Sequence, residues 1–172
     1  MIEIRAEEAK DSAAIRQVHL QAFHPRTGEA HLVELLRAAH KMPISWVAVA
    51  DGQVVGHVVF SPIIIEPSPL VPIRSLGLGP VAVLPAYQNR GIGSELIAQG
   101  LKECHQSGYD LVLVLGHPGF YTRFGFTNAK ACGLASEYGA DDAFMVMELW
   151  AGALRGIKGM IKYQPEFNDA GC

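Results

Sequence analysis

Apolar residues recur along the chain in two rhythms, every second position and every third or fourth, and the switches between them predict the elements. Ile2-Glu3-Ile4 alternates and predicts a first strand. Asp11 or Ser12 offers a helix cap, and Ile15, Val18 and Ala22 then line one helical face. His24-Pro25-Arg26-Thr27-Gly28 interrupts that face. Thr27 offers a cap for a second helix, whose Leu32, Leu35, Leu36 and Ala39 follow i, i+3, i+4, i+7 spacing. Trp46-Val47-Ala48-Val49 and Val54–Phe60 flank Asp51-Gly52, a hairpin-turn dipeptide, which predicts an antiparallel pair. The four prolines at 62, 67, 69 and 72 predict a loop or bulged hairpin end between strands. Apolar strand residues resume at Ile73 and run to Val83, where Pro85 stops them.

The next stretch changes rhythm within a few residues. Gln88, Asn89, Arg90 and Gly91 form a polar turn, and from Ile92 the apolar positions are 92, 96, 97 and 101, which is helical spacing. Gly108 ends that helix in the usual C-terminal way. Leu111-Val112-Leu113-Val114-Leu115 is unbroken apolar, as in a strand buried on both faces. Strand, helix, strand implies a right-handed crossover and a parallel pair. Pro118 to Phe124 predicts a short helix, and the residues from Phe126 and Ala143–Leu149 predict two last strands. Gly152, Gly156 and Gly159 argue against a long helix in 151–172, which is read as an extension packed on the same domain.

Composition narrows the class. A chain of 172 residues suits one domain with one sizeable core. Net charge is −3, which gives no electrostatic case for a nucleic acid or an anionic membrane as partner. No apolar run has the length of a membrane span, and Met1-Ile2-Glu3-Ile4-Arg5 lacks the charge order of a signal peptide. Cys104, Cys132 and Cys172 are odd in number and widely spaced. They argue for a reducing compartment, hence a cytoplasmic chain, and against a disulfide framework. The histidines show no metal-ligand spacing, so no metal is expected.

The candidate chemistry sits at the strand–turn–helix of 76–101. A helix start presents backbone N–H groups with no internal partner and partial positive charge. Gly91 and Gly93 have no Cβ, so a bulky anion can approach the main chain. Arg90 adds a full charge on a forked donor. Together these predict a site for a phosphate or pyrophosphate. There is no G-x-x-x-x-G-K-[ST] motif, so a P-loop is excluded. Gly77-Leu78-Gly79-Pro80-Val81-Ala82 fits a loose dinucleotide pattern, but a strand follows it where that fold needs a helix.

Gln88-Asn89-Arg90-Gly91-Ile92-Gly93, preceded by Val81-Ala82-Val83-Leu84-Pro85 and followed by an amphipathic helix, resembles the acetyl-CoA motif of the GNAT superfamily of N-acyltransferases. Gly116 to Phe126 resembles the family segment that ends Tyr-x-x-x-Gly-Phe. The resemblance covers about residues 2–150 and is closest to the YhbS-like subgroup. It implies an α/β, or mixed α+β, fold: a mixed central sheet of about six to seven strands with a splayed parallel pair, flanked by helices. It implies acetyl-CoA as co-substrate, with the pyrophosphate on the backbone of Arg90, Gly91, Ile92, Gly93 and Ser94, the pantetheine arm along Val81, Ala82 and Val83, and Gln88 and Asn89 also among the cofactor-binding residues. Tyr121 falls at the family position of the general acid, and Phe124 beside it is expected to touch the cofactor.

Other roles follow less directly. In the family the loop between the first two helices borders the acceptor pocket, which makes His24, Arg26 and Glu29 candidate substrate residues. A phenol with a pKa of about 10 is protonated at neutral pH and can give its proton to a leaving thiolate. Some family members carry a Glu on the strand before the phosphate loop, but Ile73–Val83 has neither Glu nor Asp. His117, His57 and Glu66 are the candidate bases, with a water chain as the alternative. His117 stands where many members of the subgroup have Asp, and Phe120 where they often have Tyr. The expected activity is transfer of acetyl to a primary amine, on a small molecule or a peptide, by direct attack in a ternary complex. The alternative is a catalytically silent acyl-CoA sensor or interaction module. The segment after residue 150 leaves a homodimer open.

Overall fold

The computed structural model describes residues 1–172. In chain order the strands are β1 (Ile2–Ala6), β2 (Ile44–Ala50), β3 (Gln53–Pro62), β4 (Ile64–Glu66), β5 (Ser75–Val83), β6 (Leu111–Leu115), β7 (Thr127–Asn128), β8 (Leu134–Ser136), β9 (Phe144–Glu148) and β10 (Gly159–Lys162). The helices are α1 (Ser12–Ala22), α2 (Gly28–Ala38), α3 (Ile92–Gln106), α4 (Pro118–Tyr121) and α5 (Glu166–Asp169). Seven strands form one mixed sheet in the order β1-β2-β3-β5-β6-β9-β7, and three form a second in the order β4-β10-β8. The seven-stranded sheet with its parallel pair matches the expected architecture.

The chain divides into two compact units, each built from separated stretches. The first comprises Met1–Ser61, Gly79–Glu103 and Pro165–Cys172, and the second Pro62–Leu78 and Cys104–Gln164.

In the first unit, Asp51 (φ 50°) and Gly52 (φ 78°) take the left-handed backbone that a tight hairpin demands, and β2 and β3 pair antiparallel as the Asp-Gly signal predicts. β1 pairs antiparallel with β2 from Ile2↔Ala50 to Ala6↔Trp46. The interior is built from Ile15, Val18, Leu32, Leu36, Val47, Val55, Phe60, Leu96 and Ile97, all 2% exposed or less. Gly100 is required there: a Cβ at that position would lie 2.2 Å from Phe60 Cε1. Asp11 does not cap α1. Its carboxylate accepts from the Glu8 N–H at 2.7 Å and from Arg5 at 2.8 and 3.0 Å, closing a 3₁₀ turn ahead of the helix. Thr27 precedes α2 without a side-chain cap; its carbonyl accepts from the His31 N–H at 3.1 Å.

In the second unit, β5 and β6 pair in parallel over Ser75↔Leu111 to Gly77↔Leu113, and β6 pairs antiparallel with β9. This is the predicted crossover, with Gly108 (φ 82°) just beyond α3. The proline-rich stretch departs from its reading as a loop or bulged hairpin end, because part of it pairs with a strand distant in sequence. Ile64–Glu66 is a strand, paired antiparallel with Met160–Lys162 of β10. β10 in turn pairs in parallel with β8. Residues after 150 are therefore more than an appendage: they supply the middle strand of the small sheet. Proline at 62 and 67 brackets β4, and β4 lies at the sheet edge, where missing N–H groups are tolerated.

Candidate active site

The first group of candidate residues lies on one continuous strand–turn–helix of the first unit. Val81, Ala82 and Val83 end β5, with Ala82 buried and its neighbours half-buried. The Leu84 N–H donates to the Val55 carbonyl at 2.8 Å, so strand pairing continues to the last residue before the turn. Pro85–Tyr87 makes one 3₁₀ turn. The Gln88 side-chain amide then donates to the Val83 carbonyl at 2.9 Å and ties the turn to the strand end. Asn89 (φ 63°) and Gly91 (φ 80°) both sit in the left-handed region, which Asn tolerates among L-residues and Gly accepts freely. Arg90 between them is exposed, its guanidinium 5.3 Å from the Tyr87 ring centroid.

The helix opens directly from this turn. Its first ladder bond runs from the Glu95 N–H to the Gly91 carbonyl at 3.0 Å. The amides of Gly91, Ile92 and Gly93 stand ahead of that ladder, at the electropositive end of a 15-residue helix. Ile92 is buried and anchors the turn, and Ser94 is half-buried. A Cβ at Gly91 would meet no atom within 4 Å, and at Gly93 nothing nearer than Val83 Cγ2 at 3.9 Å. Internal packing therefore does not require glycine at 93. Open space before a row of forward-pointing amides is what a diphosphate group needs.

Tyr121, Phe124 and His117 belong to the second unit. Tyr121 is 8% exposed, and its ring meets those of Phe120, Phe126 and Phe124 at 5.0, 5.7 and 6.4 Å between centroids. A Cβ at Gly116 would fall 2.2 Å from Tyr121 Cε2, so the ring occupies the space a side chain there would take. Burial pushes the Tyr121 phenol above its ordinary pKa, which keeps it a proton donor at neutral pH. His117 opens α4: its carbonyl accepts from the Phe120 and Tyr121 N–H groups at 3.0 and 3.2 Å, and its side chain is exposed. Phe124 is half-buried, with the Arg123 guanidinium 5.5 Å from its ring centroid.

The loop between α1 and α2 lies in the first unit. His24 and Arg26 are exposed. Arg26 pairs with Glu29 at 3.3 Å and lies 5.4 Å over the Phe23 ring. Gly28 is packed against the segment after α5, since a Cβ there would be 3.0 Å from the Ala170 carbonyl oxygen. Lys41 grips Glu166 of α5 through both carboxylate oxygens at 2.8 and 3.0 Å.

His57 and Glu66 stand elsewhere. Glu66 is exposed at the edge of the small sheet. His57 is fully enclosed, at the centre of a polar chain that the sequence reading did not assemble. Its Nδ1 is 2.8 Å from His19 Nε2, and its Nε2 is 2.8 Å from Ser45 Oγ and 3.5 Å from Glu7 Oε2. Ser45 and Arg37 both donate to the Glu7 carboxylate. One proton arrangement, assigned from the network, satisfies this chain: His19 Nε2–H donates to His57, His57 Nε2–H to Ser45, and Ser45 O–H to Glu7. His19 Nδ1 is then left buried without a partner. Burial is the largest influence on the Glu7 carboxyl and opposes ionisation, but the hydrogen bonds from His57, Ser45 and Arg37 outweigh it and bring the pKa down to about 2. Burial drives His19 down to about 3 and also lowers His57. An enclosed histidine held neutral this way cannot touch an acceptor amine, so His57 is not the base. The signal was present in the sequence: His19 follows Ile15 by four residues and so lies on the buried face of α1.

Comparison with known proteins agrees with the two motifs. A model of the acetyltransferase (GNAT) domain matches residues 3–129, and the chain belongs to that family. Across nearly its whole length it is similar to the uncharacterized N-acetyltransferase YhbS of Escherichia coli (strain K12), with 35% identity over 167 residues that cover 96% of this chain and 98% of that one. The 1.55 Å crystal structure of the E. coli GNAT family N-acetyltransferase YhbS in complex with CoA matches with a TM-score of 0.91 and 34% identity, covering 97% of this chain and 92% of that one. A GNAT family acetyltransferase from Brucella melitensis in complex with acetyl-CoA matches with a TM-score of 0.80 and 35% identity, covering 97% and 98%.

Proposed function

We propose that the chain transfers an acetyl group from acetyl-CoA to a primary amine by direct attack within a ternary complex. The observation that carries this is the open main chain at Gly91–Gly93, free of any packing demand for glycine at 93, on a chain whose relatives bind CoA and acetyl-CoA. The amides of 91–94 and the Arg90 guanidinium receive the pyrophosphate, and the backbone of Val81–Val83 receives the peptide-like pantetheine arm. The amine nitrogen attacks the thioester carbonyl, the C–N bond forms and the C–S bond breaks. Tyr121 gives its phenolic proton to the departing sulfur and regains one from the proton lost by the amine. The products are an amide and free CoA thiol.

The acceptor must arrive neutral. A lysine amine with a pKa of about 10.4 is roughly one part in a few thousand neutral at pH 7, whereas an α-amine near 7.7 is roughly a sixth neutral. His117, exposed at the start of α4, is the residue proposed to take the proton of the incoming ammonium before attack, separate from the one that returns to Tyr121 on amide formation, and His24, Arg26 and Glu29 the ones proposed to border the acceptor. The test is incubation with acetyl-CoA and a panel of amines while free thiol is followed. Amine-dependent thiol release supports transfer. CoA binding without thiol release for any amine supports a sensor.

A further inference from the structure

The outer face of the small sheet carries a pattern that fits a second copy of itself. Register sets Ile64 beside Lys162 and Glu66 beside Met160, while Ile65 and Ile161 between them point inward. Ile65 and Ile161 are 4% and 0% exposed, whereas Ile64 and Met160 are 51% and 36% exposed. The four outward side chains therefore form a rectangle with an apolar diagonal, Ile64 to Met160, and a charged diagonal, Glu66 to Lys162. Glu66 has no ion pair within the chain, and Lys162 reaches only Glu137, at 3.8 Å.

We infer that this face is the interface of a two-fold homodimer. Of the in-plane axes, only one along the apolar diagonal is favourable. It stacks Ile64 on Ile64 and Met160 on Met160 of the partner, and brings each Glu66 over the partner's Lys162. An axis along the other diagonal sets Glu66 on Glu66 and Lys162 on Lys162. Axes along or across the strands set an apolar residue on a charged one. Strand spacing of about 4.8 Å and about 6.7 Å for two residues makes the strands of the two copies cross at about 70°, close to the orthogonal class of sheet packing. An interface of this kind is isologous, with the same patch on both copies. Leu70 and Val71, which follow β4 and are 104% and 72% exposed, supply further apolar surface on the same unit.

Sedimentation velocity of the full chain between 1 and 100 μM tests this. The wild type should sediment as a dimer at the upper end of that range. Glu66→Lys and Lys162→Glu each place like charges together at two symmetric points and should raise the dimer Kd at least tenfold. The double exchange, Glu66→Lys with Lys162→Glu, should restore it. Both positions lie on the surface, and an unchanged melting temperature of each variant at low concentration confirms that folding is intact. A wild type that is monomeric throughout, a dimer indifferent to either reversal, or a double exchange no tighter than the single ones overturns the proposal.

Discussion

His19 Nε2 and His57 Nδ1 lie 2.8 Å apart with neither residue exposed, so two imidazoles on α1 and β3 meet through a single proton inside the first unit. A second proton would set two N–H groups against each other. Burial holds both rings below the ordinary histidine pKa, His19 to about 3. The unfolded chain takes up protons as pH falls through about 6.5, while the folded chain resists until far lower. Stability is therefore intact above about pH 6.5 and declines from there toward pH 3, at up to about 1.4 kcal/mol per pH unit for each site. Glu7, lowered to about 2, adds a loss of the same sign below about pH 4.5. Urea midpoints between pH 4.5 and 7.5 should fall as the medium is acidified. In a His19→Leu variant that slope should be shallower; an equal slope would remove the pair from the explanation.

Tyr121 carries the clearest catalytic expectation. Tyr121→Phe keeps the ring packed against Phe120 and Phe126 and removes only the hydroxyl. Turnover should fall by roughly 10²–10⁴-fold, with the thermal shift produced by CoA unchanged. An undiminished rate would take the phenol out of the mechanism. Gly116→Ala tests the same residue from its other side. With a Cβ 2.2 Å from Cε2 the ring must move, so this variant should lose activity while the hydroxyl remains.

Arg90 and Gly93 separate ligand binding from folding. Arg90→Ala removes one forked donor on an exposed side chain and should weaken CoA binding by about 1.5–3 kcal/mol, roughly 10- to 150-fold in Kd. Its melting temperature without ligand should match the wild type. Titration in rising salt should show a smaller salt dependence in the variant than in the parent.

Gly100 is the counter-case, a glycine demanded by the core. Gly100→Ala drives a methyl into the buried Phe60 ring, 2.2 Å from Cε1. The expected cost is about 1–3 kcal/mol, a drop of several degrees in Tm for a chain of this size. CoA affinity of the folded fraction should be retained, because the overpacked ring lies two helical turns beyond Gly93.

Much of this was legible in the sequence, and the reasons are physical. The Asp51-Gly52 hairpin, the helix from Ile92 and the buried strand Leu111–Leu115 each rest on local rules that no distant contact overrides. The turn proposed to hold the cofactor was legible as a turn into a helix because its glycines and arginine sit together in the chain. What escaped was non-local. β4 is three residues long between prolines and exists through β10, almost a hundred residues later. The His19–His57–Ser45–Glu7 chain draws on three elements and the residue just after β1, and although His19 alone could be placed on the buried face of α1, nothing local brings the four together. Asp11 has the right identity for a cap, but its ion pair with Arg5 commits the carboxylate to the preceding turn.

Calorimetric titration of acetyl-CoA into the wild type and into Gly93→Val tests the central claim, that main-chain amides at the start of α3 hold the diphosphate. The wild type should bind one molecule per chain, and the valine variant, folded as before, should give no saturable heat. Equal binding by both, or none by the wild type, would contradict it.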